Sequence, residues 1–159
     1  MNVATADDMR ALGRALGGAL RADGGGALVI GIEGELGAGK TTLVSGVLAA
    51  LGVTGAIRSP TYTLIEPYDA GGLQLYHIDL YRLTSPREVE ALGIRDLLDA
   101  RAVLLIEWPS RGAGALPTQD LSVSIEYQGA GAQRRLLRAQ AHSSAGDKLL
   151  EQILAATSE

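Results

Sequence analysis

Gly34-Glu35-Leu36-Gly37-Ala38-Gly39-Lys40-Thr41 lies between an apolar run, Ala27 to Ile32, and a helix-like segment, Thr42 to Leu51. Its G-x-x-x-x-G-K-[ST] spacing between a buried strand and a helix is that of a phosphate-binding loop. Glycine reaches positive φ cheaply and has no Cβ, so the backbone can curl until its N–H groups converge on phosphate oxygens. The following helix adds free N–H groups and the positive end of its dipole. On this reading Glu35, Leu36, Gly37, Ala38, Gly39, Lys40, Thr41 and Thr42 cradle a nucleoside triphosphate. Lys40 reaches the β and γ phosphates, and the Thr41 hydroxyl ligates Mg²⁺. Lys40 and Lys148 are the only lysines, against twelve arginines. A compact point charge at this one position is a role that arginine does not fill.

At 159 residues the chain suits one domain with a proper core, residues 1–159. Phe is absent and Trp occurs once, so the core falls to Leu, Val, Ile and Ala. The formal charge of −4 argues against a broad nucleic-acid footprint, and any RNA connection is expected through a partner. Without cysteine there is no disulfide, thiol nucleophile or cysteine-ligated zinc. Asp7 and Asp8 stand where a signal peptide would be basic, and no apolar stretch is long enough to span a membrane. A soluble, cytoplasmic protein is expected.

Met9, Leu12, Leu16 and Leu20 recur at helical spacing behind a cap at Thr5 or Asp7, and Asp23-Gly24-Gly25-Gly26 ends that helix. Ser59 to Tyr68 and Leu73 to Leu83 read as β-rich runs joined by a hairpin loop at Asp69-Ala70-Gly71-Gly72. Ser85-Pro86-Arg87-Glu88 has the cap, proline and acid of a capping box, and Gly93 interrupts the helix it opens. Ala102 to Ile106 is a wholly apolar strand. Leu121 to Tyr127 and Arg134 to Ala141 form an antiparallel pair across Gly129-Ala130-Gly131, and Asp147 to Ala156 closes the chain as a helix. The expected fold is α/β: a P-loop NTPase with a mixed, mostly parallel sheet flanked by helices.

Mg²⁺ at such a loop usually takes a carboxylate from the end of a neighbouring strand. Glu107 follows Val103-Leu104-Leu105-Ile106, as expected at the ligand end of a central strand. Asp79 shares a strand face with His77 and Tyr81, opposite a core face of Tyr76, Ile78 and Leu80. The pattern leaves Asp79 either a site residue or a solvated strand acid, and reads His77 as structural. Ser59-Pro60-Thr61 occupies the position of a γ-phosphate sensing loop, or of a simple strand-initiating turn.

Together GELGAGKTT (34–42), SPTYTL (59–64), HIDLYRL (77–83) and IEWP (106–109) resemble, in order, the bacterial TsaE (YjeE-type) ATPase family of tRNA threonylcarbamoyladenosine biosynthesis. The resemblance runs from the first helix to at least Arg111. It implies ATP and Mg²⁺ as ligands, and slow hydrolysis linked to a threonylcarbamoyl-transferase complex of TsaD and TsaB, with tRNA met through that complex. Carried over by position, Lys40 and Asp79 are catalytic, with Asp79 placing the attacking water. Thr41 and Glu107 serve the metal, Thr61 senses the γ-phosphate, and Trp108 sits at the site's edge. Two positions depart from the family: Glu35 stands where Asp is common, and Ser110 where Glu is common.

Three other classes compete. A GTP switch generally uses Asn-Lys-x-Asp, and Asn2 is the only asparagine. A small-molecule kinase needs an arginine lid, for which the Arg111 loop is the candidate. A nucleotide-binding adaptor would bind ATP without turnover.

Overall fold

The structure, a computed structural model, describes residues 1–22, 26–129 and 134–158. Its elements in chain order are β1 (Asn2–Val3), α1 (Ala6–Ala22), β2 (Leu28–Gly34), α2 (Lys40–Ala50), β3 (Ile65–Ala70), β4 (Leu73–Asp79), α3 (Pro86–Ala91), β5 (Ala102–Glu107), β6 (Leu121–Gln128), β7 (Arg134–Ala141) and α4 (Ser144–Thr157). The strands form one seven-stranded sheet in the order β1-β7-β6-β2-β5-β4-β3. The middle four run parallel, and the edges are closed by antiparallel pairs. The α/β expectation holds.

The sheet is covered on both faces, which is why β5 reads as an unbroken apolar run rather than an alternation. Leu105 and Val103 pack with Leu16, Leu43 and Val47 on the side of α1, α2 and α4. Leu104 and Ile106 pack with Ile78, Leu80, Val89 and Ile94 on the other. Each fully buried side chain of this size contributes about 1.5–3 kcal/mol.

α1 and α2 approach through glycines. A Cβ on Gly13 would collide with the Leu43 carbonyl, and one on Gly46 with the Arg10 carbonyl. This close approach brings Met9 against Gly39, where a Cβ would lie 3.1 Å from Met9 Cε. The glycine-rich loop between β2 and α2 is therefore buttressed from behind by α1.

Thr5 is the cap of α1: its hydroxyl accepts from the Asp8 N–H at 3.0 Å, and Asp8 accepts from the Thr5 N–H at 2.9 Å. Hydrogen bonds from Thr5, by side chain and by backbone, and from the Ala4 N–H hold the Asp8 carboxyl below its ordinary value. Asp7 instead pairs with Arg10. The capping box at Ser85 and Glu88 forms as read, and Gly93, at φ 66°, separates α3 from a 3-10 turn, Ile94–Leu97. The turns expected at Asp23 to Gly25 and at Ala130 and Gly131 lie outside the described residues.

Two strand boundaries are corrected. Residues 59–64 form a turn, not the start of β3, because Pro60 has no N–H for a ladder, the Leu64 N–H donates to the Pro60 carbonyl at 2.7 Å, and Leu64 turns to φ 66°. β4 stops at Asp79, whose carboxylate accepts the Tyr81 N–H at 2.9 Å and bends the chain away. Tyr81 thus leaves the strand face it was expected to share with His77 and Asp79.

Candidate nucleotide site

Because β2, β5 and β4 are parallel neighbours, their C-terminal ends bring the loop, Glu107 and Asp79 to one edge of the sheet. Glu107 is in register with Ile32 on one side and with Asp79 on the other. Both acids are buried, Asp79 3% and Glu107 2% exposed, which removes the solvated-acid reading of Asp79.

The loop turns through Gly37 at φ 77° and Gly39 at φ 110°, with the Ala38 N–H donating to the Glu35 carbonyl at 3.0 Å. Gly39 caps α2 without any side-chain hydrogen bond, so the helix's first N–H groups keep their anion-binding capacity. Lys40 bends back into the loop: its Nζ donates to the carbonyls of Gly34 at 2.6 Å and Glu35 at 2.9 Å, and lies 4.0 Å from the Trp108 ring centre. Burial lowers the Lys40 pKa, while the carboxylates of Glu107, Glu33 and Asp79 pull it back up. A lysine held this way is desolvated beforehand and gains an anion readily.

Glu107 Oε1 accepts from the Thr41 hydroxyl at 2.9 Å and lies 2.7 Å from His77 Nε2. Asp79 Oδ2 accepts from the hydroxyls of Ser59 and, at 3.2 Å, Thr61. Trp108 takes φ 59°, an uncommon region for a bulky residue, and the turn sets its ring 5.1 Å from that of Tyr81 and tilted 45° to it. Such a conformation costs about 1–3 kcal/mol and persists only where surroundings enforce it. Here the Trp108 N–H donates to the Ile32 carbonyl at 3.1 Å, and a 3-10 turn, Pro109–Gly112, follows.

A cavity of about 280 Å³ opens at this edge, and Leu36, Gly37, Gly39, Lys40, Thr41, Thr42, Thr61, Asp79, Glu107 and Trp108 line it. Three residues of the loop, Gly34, Glu35 and Ala38, do not. Ala38 packs into the core, and the exposed Glu35 contributes its carbonyl to Lys40. Arg111 also stays off the cavity, its guanidinium 5.6 Å from the Tyr81 ring and 5.8 Å from that of Trp108.

Several contributors escaped the sequence reading. Tyr81 lines the same cavity, beside Ser59 of the segment read as a γ-phosphate sensor. Glu33 accepts the Ser110 N–H at 3.1 Å, so a carboxylate reaches the position where Ser110 lacks one. His77, read as structural, is in contact with Glu107; its shared parity with Asp79 on β4 was the available signal.

The family model described as Threonylcarbamoyl adenosine biosynthesis protein TsaE matches residues 3–136, most of the chain. The chain belongs to the TsaE family. It is similar to the tRNA threonylcarbamoyladenosine biosynthesis protein TsaE of Haemophilus influenzae, 48% identical over 64% of this chain and 64% of that protein. The Mycobacterium leprae TsaE is 38% identical over 76% of this chain and 77% of its own length. The chain thus spans under two thirds of the Haemophilus relative and more of the mycobacterial one. The crystal structure of Bacillus subtilis YdiB superposes with a TM-score of 0.80 at 27% identity, covering 99% of this chain and 94% of that one. TsaE relatives carry tRNA threonylcarbamoyladenosine biosynthesis in their names.

Among the described residues no cluster of three or more His, Cys, Asp or Glu is arranged to hold a metal ion. A threonine hydroxyl beside one carboxylate fits Mg²⁺ instead, which keeps water and takes phosphate oxygens rather than filling an all-protein cage. No helix among the described residues is long and apolar enough to cross a membrane.

Proposed function

We propose that this chain, acting as a single cytoplasmic domain, binds ATP with Mg²⁺ and hydrolyses it to ADP and phosphate in service of tRNA threonylcarbamoyladenosine formation. Its partners in this reading are the TsaD and TsaB subunits of a threonylcarbamoyl-transferase complex, through which it meets tRNA. The convergence of Lys40, Thr41, Glu107 and Asp79 around one cavity at the loop carries the proposal.

Mg²⁺, when bound, neutralises developing charge on the β and γ phosphates. Thr41 and Glu107 are the residues to hold it. Lys40 exchanges the Gly34 and Glu35 carbonyls for phosphate oxygens, and the α2 N-terminus adds its N–H groups. Asp79 orients water in line with the bond between the γ-phosphorus and the bridging oxygen. The water oxygen bonds to phosphorus as ADP leaves with that oxygen, and the water's proton passes towards Asp79. Ser59 and Thr61 hold Asp79 through Oδ2, and Oδ1, which accepts the Tyr81 N–H, keeps a lone pair for the water. Thr61, which lines the cavity and donates to Asp79, is the hydroxyl this reading assigns to sensing the γ-phosphate.

ATP hydrolysis is measured with and without TsaD, TsaB and tRNA. Stimulation by the complex, lost in Lys40→Ala, is expected. Undiminished turnover in Lys40→Ala overturns the proposal.

A further inference from the structure

His77 is the buried polar group that the proposed chemistry leaves unused. It lies in the interior strand β4, at 0% exposure, beside Leu105 in the parallel register of β5. Its Nε2 is 2.7 Å from Glu107 Oε1, the same oxygen that accepts the Thr41 hydroxyl at 2.9 Å. Its Nδ1 has no hydrogen-bond partner among the described residues.

This asymmetry fixes the tautomer. A carboxylate only accepts, so Nε2 must carry the hydrogen. Nδ1 is then a bare acceptor, whereas a hydrogen on Nδ1 would be a buried donor without an acceptor, the more costly arrangement. A leucine would fill this core position without stranding a polar atom. The imidazole therefore needs a purpose, and its geometry supplies one at the carboxylate.

Thr41 presents a single hydroxyl hydrogen and two lone pairs. While that hydrogen points at Glu107, the lone pairs are directed elsewhere and can serve a cation. The orientation of Thr41 thus depends on Glu107, and that of Glu107 on whatever fixes its Oε1. We propose that His77 is a positioning residue of the nucleotide site: donating from Nε2–H, it holds Glu107 where Oε1 takes the Thr41 hydrogen, leaving the Thr41 lone pairs for Mg²⁺. This rests on the reading of the site as one for ATP and Mg²⁺. Partners that fix a metal-side residue in this way typically change metal affinity 10–100-fold when removed.

The test is calorimetric binding of ATP to the full chain in Mg²⁺ and in EDTA, with thermal unfolding recorded for every variant. For the parent, Mg²⁺ is expected to strengthen ATP binding. His77→Leu is expected to bind ATP as the parent does in EDTA but to need roughly 10–100-fold more Mg²⁺ for the same gain. His77→Gln, whose amide nitrogen can stand in for Nε2–H, is expected to recover most of it. A folded His77→Leu with the parental Mg²⁺ response overturns the role of His77 alone. A parent without ATP binding or without a Mg²⁺ response overturns the underlying reading and the role together. Should His77→Leu not fold, ¹⁵N NMR of the parent's imidazole decides: Nε2–H supports the assignment and Nδ1–H overturns it.

Discussion

Asp79 and Glu107 are register partners on the parallel strands β4 and β5, yet their carboxylates are held by separate sets of donors. Ser59, Thr61 and the Tyr81 N–H serve Asp79; Thr41 and His77 serve Glu107. Two acids this close with independent supports can take different tasks. Asp79→Asn is expected to lower the ATPase kcat by about 10²-fold or more while ATP binding changes little. Glu107→Gln is expected chiefly to raise the Mg²⁺ concentration required. Steady-state kinetics at varied Mg²⁺ separates them, and identical profiles for the two variants would contradict the division of roles.

The loop, β5 and the capping box at Ser85 were legible because each is a local pattern whose cause is local. The burial of Asp79 was not, since it follows from β4 lying inside the sheet between β3 and β5. Residues 59–64 were misread for a related reason. Thr and Tyr favour strands, but Ser59 and Thr61 spend their hydroxyls on Asp79, twenty and eighteen positions away, and Pro60 removes a ladder donor. Contacts of that range leave no periodicity to read. Trp108 at positive φ was equally hidden, because the Ile32 carbonyl and the turn after β5 impose it.

The glycines of α1 make opposite predictions within one helix. Gly13 faces the Leu43 carbonyl at the α1–α2 crossing, whereas nothing lies within 4 Å of a Cβ on Gly18. Gly13→Ala is expected to destabilise the fold by about 1–3 kcal/mol through overpacking. Gly18→Ala is expected to stabilise it by about 0.5–1 kcal/mol through helix propensity alone. Urea denaturation of both variants checks the pair, and equal midpoints would refute the close crossing.

Trp108 is the chain's only tryptophan and lies 4.0 Å from Lys40 Nζ. A cation withdrawn towards phosphate changes the field at the indole, so Trp108 emission is expected to shift on ATP addition. In Lys40→Met the starting spectrum is expected to differ from the parent's and the ATP-induced shift to be lost. An ATP response of parental size in Lys40→Met would show that emission reports something other than this contact.

Lys40 also sets a pH dependence whose sign can be worked out. Burial lowers its pKa in the folded chain below the ordinary 10.5, so between the two values the unfolded chain binds more protons than the folded one. Stability contributed by this group therefore rises with pH across that alkaline window, as the buried charge is relieved, and levels off above 10.5. Lys40→Met keeps an apolar stem of similar length and removes the titration. Without nucleotide, the parent is expected to gain stability relative to Lys40→Met as pH approaches 10.5. ATP, by placing anionic oxygens at Nζ, is expected to raise the folded pKa and flatten that gain. Denaturant unfolding of both proteins at stepped pH, with and without ATP, measures the difference. A parent that loses stability relative to the variant over the same window would mean that Glu107, Glu33 and Asp79 outweigh burial at Lys40.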